Sequence, residues 1–191
     1  MNISRSSSKP SRRVLATLPL AALILAVFVG SALAAATNLV KNGSMEKDAN
    51  GNGIPNNWTG NGLTPADKRV CNQSYVGSCS FKMVLDGSPK ELYQNVTFVG
   101  SAGDEFNLSV WTKGKEINSG AGVASIYVYF YLTAGGTDQW AFALPDGTSP
   151  WTLRQLTATA GGDYNAMLVG LLSDSAESGK FWFDKVKLVG P

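Results

Sequence analysis

Apolar and polar positions alternate along most of this 191-residue chain in short runs separated by turn residues. The longest such run is Val123–Leu132. Ile126, Val128, Phe130 and Leu132 form one alternate set, and Ser125, Tyr127, Tyr129 and Tyr131 form the other. Side chains on a strand point to opposite faces in turn, so this period predicts a strand with an aliphatic core face and a row of three tyrosines opposite.

The same reading predicts strands at Asn38–Val40, Ser80–Leu85, Leu92–Val99, Phe106–Lys113, Gln139–Leu144, Trp151–Ala158, Ala166–Leu172 and Phe181–Leu188. Asn42-Gly43, Asp86-Gly87, Gly135-Gly136, Pro145-Asp146-Gly147 and Gly161-Gly162 supply the turn chemistry between them. No amphipathic helical period of useful length interrupts the series. Many short strands with glycine-rich turns predict an all-β protein, an antiparallel β-sandwich of the jelly-roll type.

The first residues follow a different rule. Arg5, Lys9, Arg12 and Arg13 precede an apolar run from Val14 to Gly30, which ends in Ser-Ala-Leu-Ala-Ala-Ala. Basic, apolar and small residues in that order predict a signal peptide over 1–34, helical before cleavage, with Ala32 at the −3 position. The mature domain is then 35–191, secreted to the extracellular space or cell surface, with no membrane span after cleavage. Four of the sixteen basic residues leave with the leader, so twelve remain against fourteen acidic ones and the formal charge becomes −2. That balance points to no nucleic-acid or anionic-membrane partner.

Cys71 and Cys79 are the two cysteines of the chain. Export to an oxidising compartment favours a disulfide between them, with two free thiols as the alternative. Asp48, Asn50 and Asn52, followed by Gly53, have the spacing of the first half of a calcium loop. Thr59 stands where the bidentate glutamate would, so a surface loop is the other reading. The chain contains no histidine. Ser-His-Asp and Cys-His arrangements and histidine metal sites are thereby excluded, and a non-enzymatic protein is expected.

The two ends of the mature chain resemble secreted carbohydrate-binding modules of families 4, 9 and 22, which share a galactose-binding-like jelly roll. Asn38-Leu39-Val40-Lys41-Asn42-Gly43-Ser44-Met45-Glu46, followed by Trp58, is similar to their opening strand. Phe181-Trp182-Phe183-Asp184-Lys185-Val186-Lys187-Leu188 is similar to their closing one, with Lys185 in place of a second aspartate. The resemblance implies a structural calcium where the ends meet, with Glu46 and Asp184 as side-chain ligands. It also implies glycan binding on a sheet face or at loop tips.

The residues point to binding as well. Trp111, Tyr127, Tyr129 and Tyr131, with Asn107 among the polar residues beside them, would form an aromatic platform if their strands share a sheet. Sugar C–H faces pack on aromatic rings while hydroxyls take polar partners at the edge. The expected function is a secreted, non-catalytic carbohydrate-binding module whose partner is a polysaccharide or glycan. The alternative is a structural or adhesive surface subunit that self-assembles through the same face. An accessory role in glycoside hydrolysis ranks below both.

Overall fold

The computed structural model describes residues 37–191; the leader and its expected helix lie outside the described residues. Ten strands follow in order: β1 Thr59–Asn61, β2 Lys68–Val70, β3 Ser80–Leu85, β4 Lys90–Val96, β5 Glu105–Asn118, β6 Val123–Leu132, β7 Thr137–Ala143, β8 Gly147–Thr159, β9 Tyr164–Asp174 and β10 Ser178–Val189. None of the described residues is helical. The strands form two five-stranded sheets, ordered β1-β4-β9-β6-β7 and β2-β3-β10-β5-β8, and every pairing is antiparallel. This is the antiparallel β-sandwich of jelly-roll type that the alternation predicts.

Hydrophobic period sets the packing. Ile126, Val128 and Phe130 of β6 face inward, as do Met167, Val169 and Leu171 of β9 and Leu92 of β4, and each is buried. Phe106, Leu108 and Val110 of β5, Phe81 and Met83 of β3, and Phe181 and Phe183 of β10 fill the core from the other sheet. A one-residue slip in any of these strands would exchange this set for the polar one, so burial fixes the register.

The sequence reading misses two short strands and expects one that is absent, and β4 and β7 each begin two residues earlier than expected and stop short of Val99 and Leu144. β1 and β2 are three residues each and carry no period long enough to detect. Asn38–Val40 is not a strand, although it lies along β10: Leu39 N donates to Leu188 O at 2.9 Å, and Leu188 N donates to Asn38 Oδ1 at 2.9 Å. Met45 is fully buried. Trp58 is also buried, with its indole N–H donating to Asn42 O at 3.3 Å.

Candidate functional site

The tyrosines lie on the outer face of the first sheet. Register places Tyr127 opposite Gly170 of β9 and Ala141 of β7, and Gly170 is in turn opposite Tyr93 of β4. In the adjacent row Tyr129 stands between Leu168 and Gln139, with Asn95 beyond Leu168; Tyr131 stands between Ala166 and Thr137. Ser125, Leu172, Glu91 and Asn61 make the row on the other side. Cross-strand pairing alone therefore gathers these groups from five strands.

Within this face the three tyrosines have different parts. Tyr127 is fully buried even though it points away from the sandwich core. Its ring lies over Gly170, where a Cβ would come within 2.3 Å of the phenol oxygen. Only glycine leaves that space, and across it the Tyr127 hydroxyl donates to Glu91 Oε1. Burial, and then the hydrogen bond to the Glu91 carboxylate, push the Tyr127 phenol far above its ordinary range, so it remains a protonated donor. Tyr129 stacks on Tyr127 with centroids 4.5 Å apart and is half-buried; Tyr131 is 37% exposed. Desolvation, and next the Glu91 charge, raise the Tyr129 phenol too. Tyr127 thus supports Tyr129, and the rings of the three that reach solvent are Tyr129 and Tyr131.

Trp111 and Asn107 are elsewhere. Both sit on β5, on the outer face of the second sheet, so the structure divides the expected platform between opposite sides of the sandwich. Asn107 Oδ1 accepts from Thr157 Oγ1 at 2.9 Å across the β5–β8 pair. Trp111 is covered by Tyr75, with parallel rings whose centroids are 3.6 Å apart. The side of the sandwich a strand joins is a matter of topology, which alternation within the strand does not report. Glu91 and Tyr93, missed at the sequence level, occupy alternate positions of β4 opposite its buried Leu92 and could have been found from that period.

Tyr75 belongs to the loop closed by the Cys71–Cys79 disulfide, which the structure contains. The loop also turns its backbone amides toward the two residues expected to hold calcium. Asp184 Oδ2 accepts from Tyr75 N and Val76 N, each at 2.8 Å, and its Oδ1 accepts from Lys185 N at 2.6 Å. Glu46 Oε1 accepts from Ser78 N at 2.9 Å and Cys79 N at 3.1 Å. The Arg69 guanidinium donates to Met45 O at 2.7 Å and Glu46 O at 2.6 Å. Burial raises the Asp184 carboxyl, the amides oppose that, and the Glu46 charge adds to it. Calcium takes oxygen ligands. Here N–H groups aim at both carboxylates and a guanidinium holds the neighbouring carbonyls, a donor set that does not fit a calcium shell.

The Asp48 loop is similarly turned in on itself. Asp48 Oδ2 accepts from Gly53 N at 3.0 Å, Asn50 Oδ1 from Asn52 N at 3.3 Å and Asn52 Oδ1 from Ile54 N at 2.8 Å. Asp48 Oδ1 is buried without a hydrogen-bond partner. Among the described residues no three His, Cys, Asp or Glu side chains come together as a metal site, and no helix is long and apolar enough to cross a membrane.

With this geometry in place, likeness to solved structures becomes informative. A structure described as a family 16 carbohydrate-binding module has a TM-score of 0.60 at 21% identity, over 80% of this chain and 99% of that one. The CBM22-1 xylan-binding domain from Paenibacillus barcinonensis gives 0.56 at 16% identity, over 82% and 96%. A cyclase from Fischerella sp. TAU gives 0.57 at 15% identity, over 82% and 98%. The chain has a carbohydrate-binding-module-like jelly roll, similar in fold to modules of more than one such family and not to families 4, 9 and 22 in particular. No family model and no curated protein matches the sequence. At these identities the likeness establishes the fold, and one fold hosts many functions.

Proposed function

We propose that the protein is a secreted, non-catalytic module that binds a neutral polysaccharide on the tyrosine face of the first sheet. The observation that carries this reading is the adjacency of Tyr129 and Tyr131 on an open face, ringed by Asn95, Gln139 and Glu91. The rings offer flat apolar area with few torsions to freeze, and the amides and carboxylate offer edges for hydroxyls. Glu91 stands in the row beside Tyr127 and Asp174 at the strand end; no lysine or arginine occupies the outward positions of these strands among the described residues. A carboxylate accepts from sugar hydroxyls and repels uronates, which favours neutral chains. The xylan-binding neighbour in fold is in keeping with such a ligand.

Affinity electrophoresis against xylan, β-1,4-galactan and other neutral polysaccharides tests this. Retardation by at least one is expected, with Tyr129→Ala weakening it at least tenfold, about 1.4 kcal/mol. Tyr127→Phe should cost less, because that phenol is turned to Glu91 and not outward. A protein that migrates unretarded through every gel would overturn the reading.

A second observation favours the structural alternative. Trp140 and Phe142, on edge strand β7, are 40% and 36% exposed. An exposed aromatic pair at a sheet edge suits self-association. Concentration-dependent assembly in size exclusion, lost in Phe142→Ser, would support that reading instead.

For Glu46 and Asp184 we propose that the disulfide-closed loop and Arg69 take the place that the family resemblance gives to calcium. Adding calcium or a chelator is therefore expected to leave the melting temperature unchanged. A rise of several degrees with calcium would restore the ion.

A further inference from the structure

Positive charge collects on the outer face of the second sheet. Register sets Lys68 opposite Lys82, Lys82 opposite Trp182 and Trp182 opposite Lys113, so one row crosses β2, β3, β10 and β5. In the row beside it Lys180 stands opposite Lys115. At the usual strand spacing of about 4.8 Å, the four-residue row spans about 14 Å. Trp182 is half-buried, and the Lys113 ammonium lies 5.9 Å from its ring centroid.

Like charges directly opposite one another on a sheet work against folding. Lys68 with Lys82 and Lys115 with Lys180 are two such pairs. Among the described residues the ion pairs are those of Lys90 with Asp67 and Asp86, and of Lys115 with Glu116. Lys68, Lys82, Lys113 and Lys180 are in none of them. Asp184, the next outward residue of β10 beyond Trp182, is buried and committed to the disulfide loop. The face therefore keeps its charge, although the mature chain as a whole is slightly acidic.

We infer that this face binds an acidic polysaccharide, with a sugar ring packed on Trp182 and its carboxylate or sulfate groups held by the flanking lysines. The combination is specific in its chemistry. Tryptophan supplies the apolar surface a pyranose face needs, and lysines on both sides supply charge at the distance of a neighbouring strand. Lysine ammonium groups are flexible point charges with three donors each, suited to anions presented at varied angles along a chain. The row lies on the opposite sheet from the tyrosines, so this inference stands whether or not the tyrosine face binds a neutral glycan. With both faces occupied, one domain would bridge a neutral and an acidic polymer.

Gel retardation by polygalacturonate, with neutral xylan and duplex DNA as comparisons, tests the inference on the purified protein. Expected is retardation by polygalacturonate at low salt that fades as salt rises, since exposed charges are screened within about 8–10 Å at physiological ionic strength. The Lys82→Ala/Lys113→Ala double variant should lose at least tenfold in affinity, and Trp182→Ala a comparable amount. Tyr129→Ala should lose none, which separates this site from the tyrosine face. Lys82→Arg/Lys113→Arg should keep most of the binding, which distinguishes lost charge from lost folding. Absence of retardation at low salt, full affinity in the alanine double variant, or DNA bound as tightly as polygalacturonate would each overturn it.

Discussion

Lys90→Met is expected to destabilise the protein by about 3–5 kcal/mol, the cost of leaving a buried charge without its partner. The Lys90 and Asp67 side chains are both wholly inaccessible, 3.0 Å apart at the inward end of β4. Lys90 also donates to Val84 O at 2.8 Å and Asp86 Oδ2 at 2.7 Å. Asp67 completes the cluster by accepting from Thr64 N and Thr64 Oγ1 at 2.8 Å and from Val84 N at 2.6 Å. Burial alone would lower the Lys90 ammonium pKa, yet the hydrogen bonds to Asp86 and Asp67 outweigh it and the net direction is upward. The lysine therefore stays charged, and removing it strands the Asp67 carboxylate. Urea unfolding should show the midpoint falling with an unchanged slope. Adding Asp67→Asn to Lys90→Met should recover about 1 kcal/mol or more, because the stranded charge is then gone. A Lys90→Met protein as stable as the parent would mean that the cluster is solvated in solution.

Removing the disulfide, by Cys71→Ser with Cys79→Ser or by reduction, is expected to cost about 2–5 kcal/mol. Closing so short a loop accounts for roughly 2–3 kcal/mol of this in the chain-entropy model. The remainder comes from what the loop carries. Its amides satisfy Asp184 and Glu46, and its Tyr75 covers Trp111. Loss of the bridge frees the loop, bringing two neighbouring carboxylates back to needing other donors. Thermal unfolding should report the stability change, and near-UV circular dichroism should report the lost Tyr75–Trp111 stack. A stability loss with an unaltered near-UV spectrum would show that the stack holds without the bridge. The glycan binding proposed for the tyrosine face should survive, since that face is on the other sheet.

Much of the fold was legible because burial acts locally on alternate residues. β3 and β6 have the expected limits, and β5, β8, β9 and β10 are found a few residues longer than their periods suggest. β1 and β2 escaped because three exposed or half-buried residues carry no amphipathic signal. The aliphatic face of β6 is core as its alternation requires. The tyrosine face opposite proved to be one buried support, one half-buried ring and one exposed ring, a distinction that depends on Gly170 lying beside Tyr127 in another strand.

The sequence by itself determined the all-β class, the inward face of β6 and the candidate disulfide, because period and compartment act within a short stretch of chain. Strand order was decided only in three dimensions. It separated Trp111 from the tyrosines, and it brought Glu91 from β4 across β9 to Tyr127. It also gathered Lys68, Lys82, Lys113 and Trp182 into one row from four strands. Net charge counts these lysines against acids spread over the whole surface, whereas electrostatic attraction depends on distance. A positive face on residues 35–191, whose own formal charge is −2, is therefore visible only once the sheets are assembled.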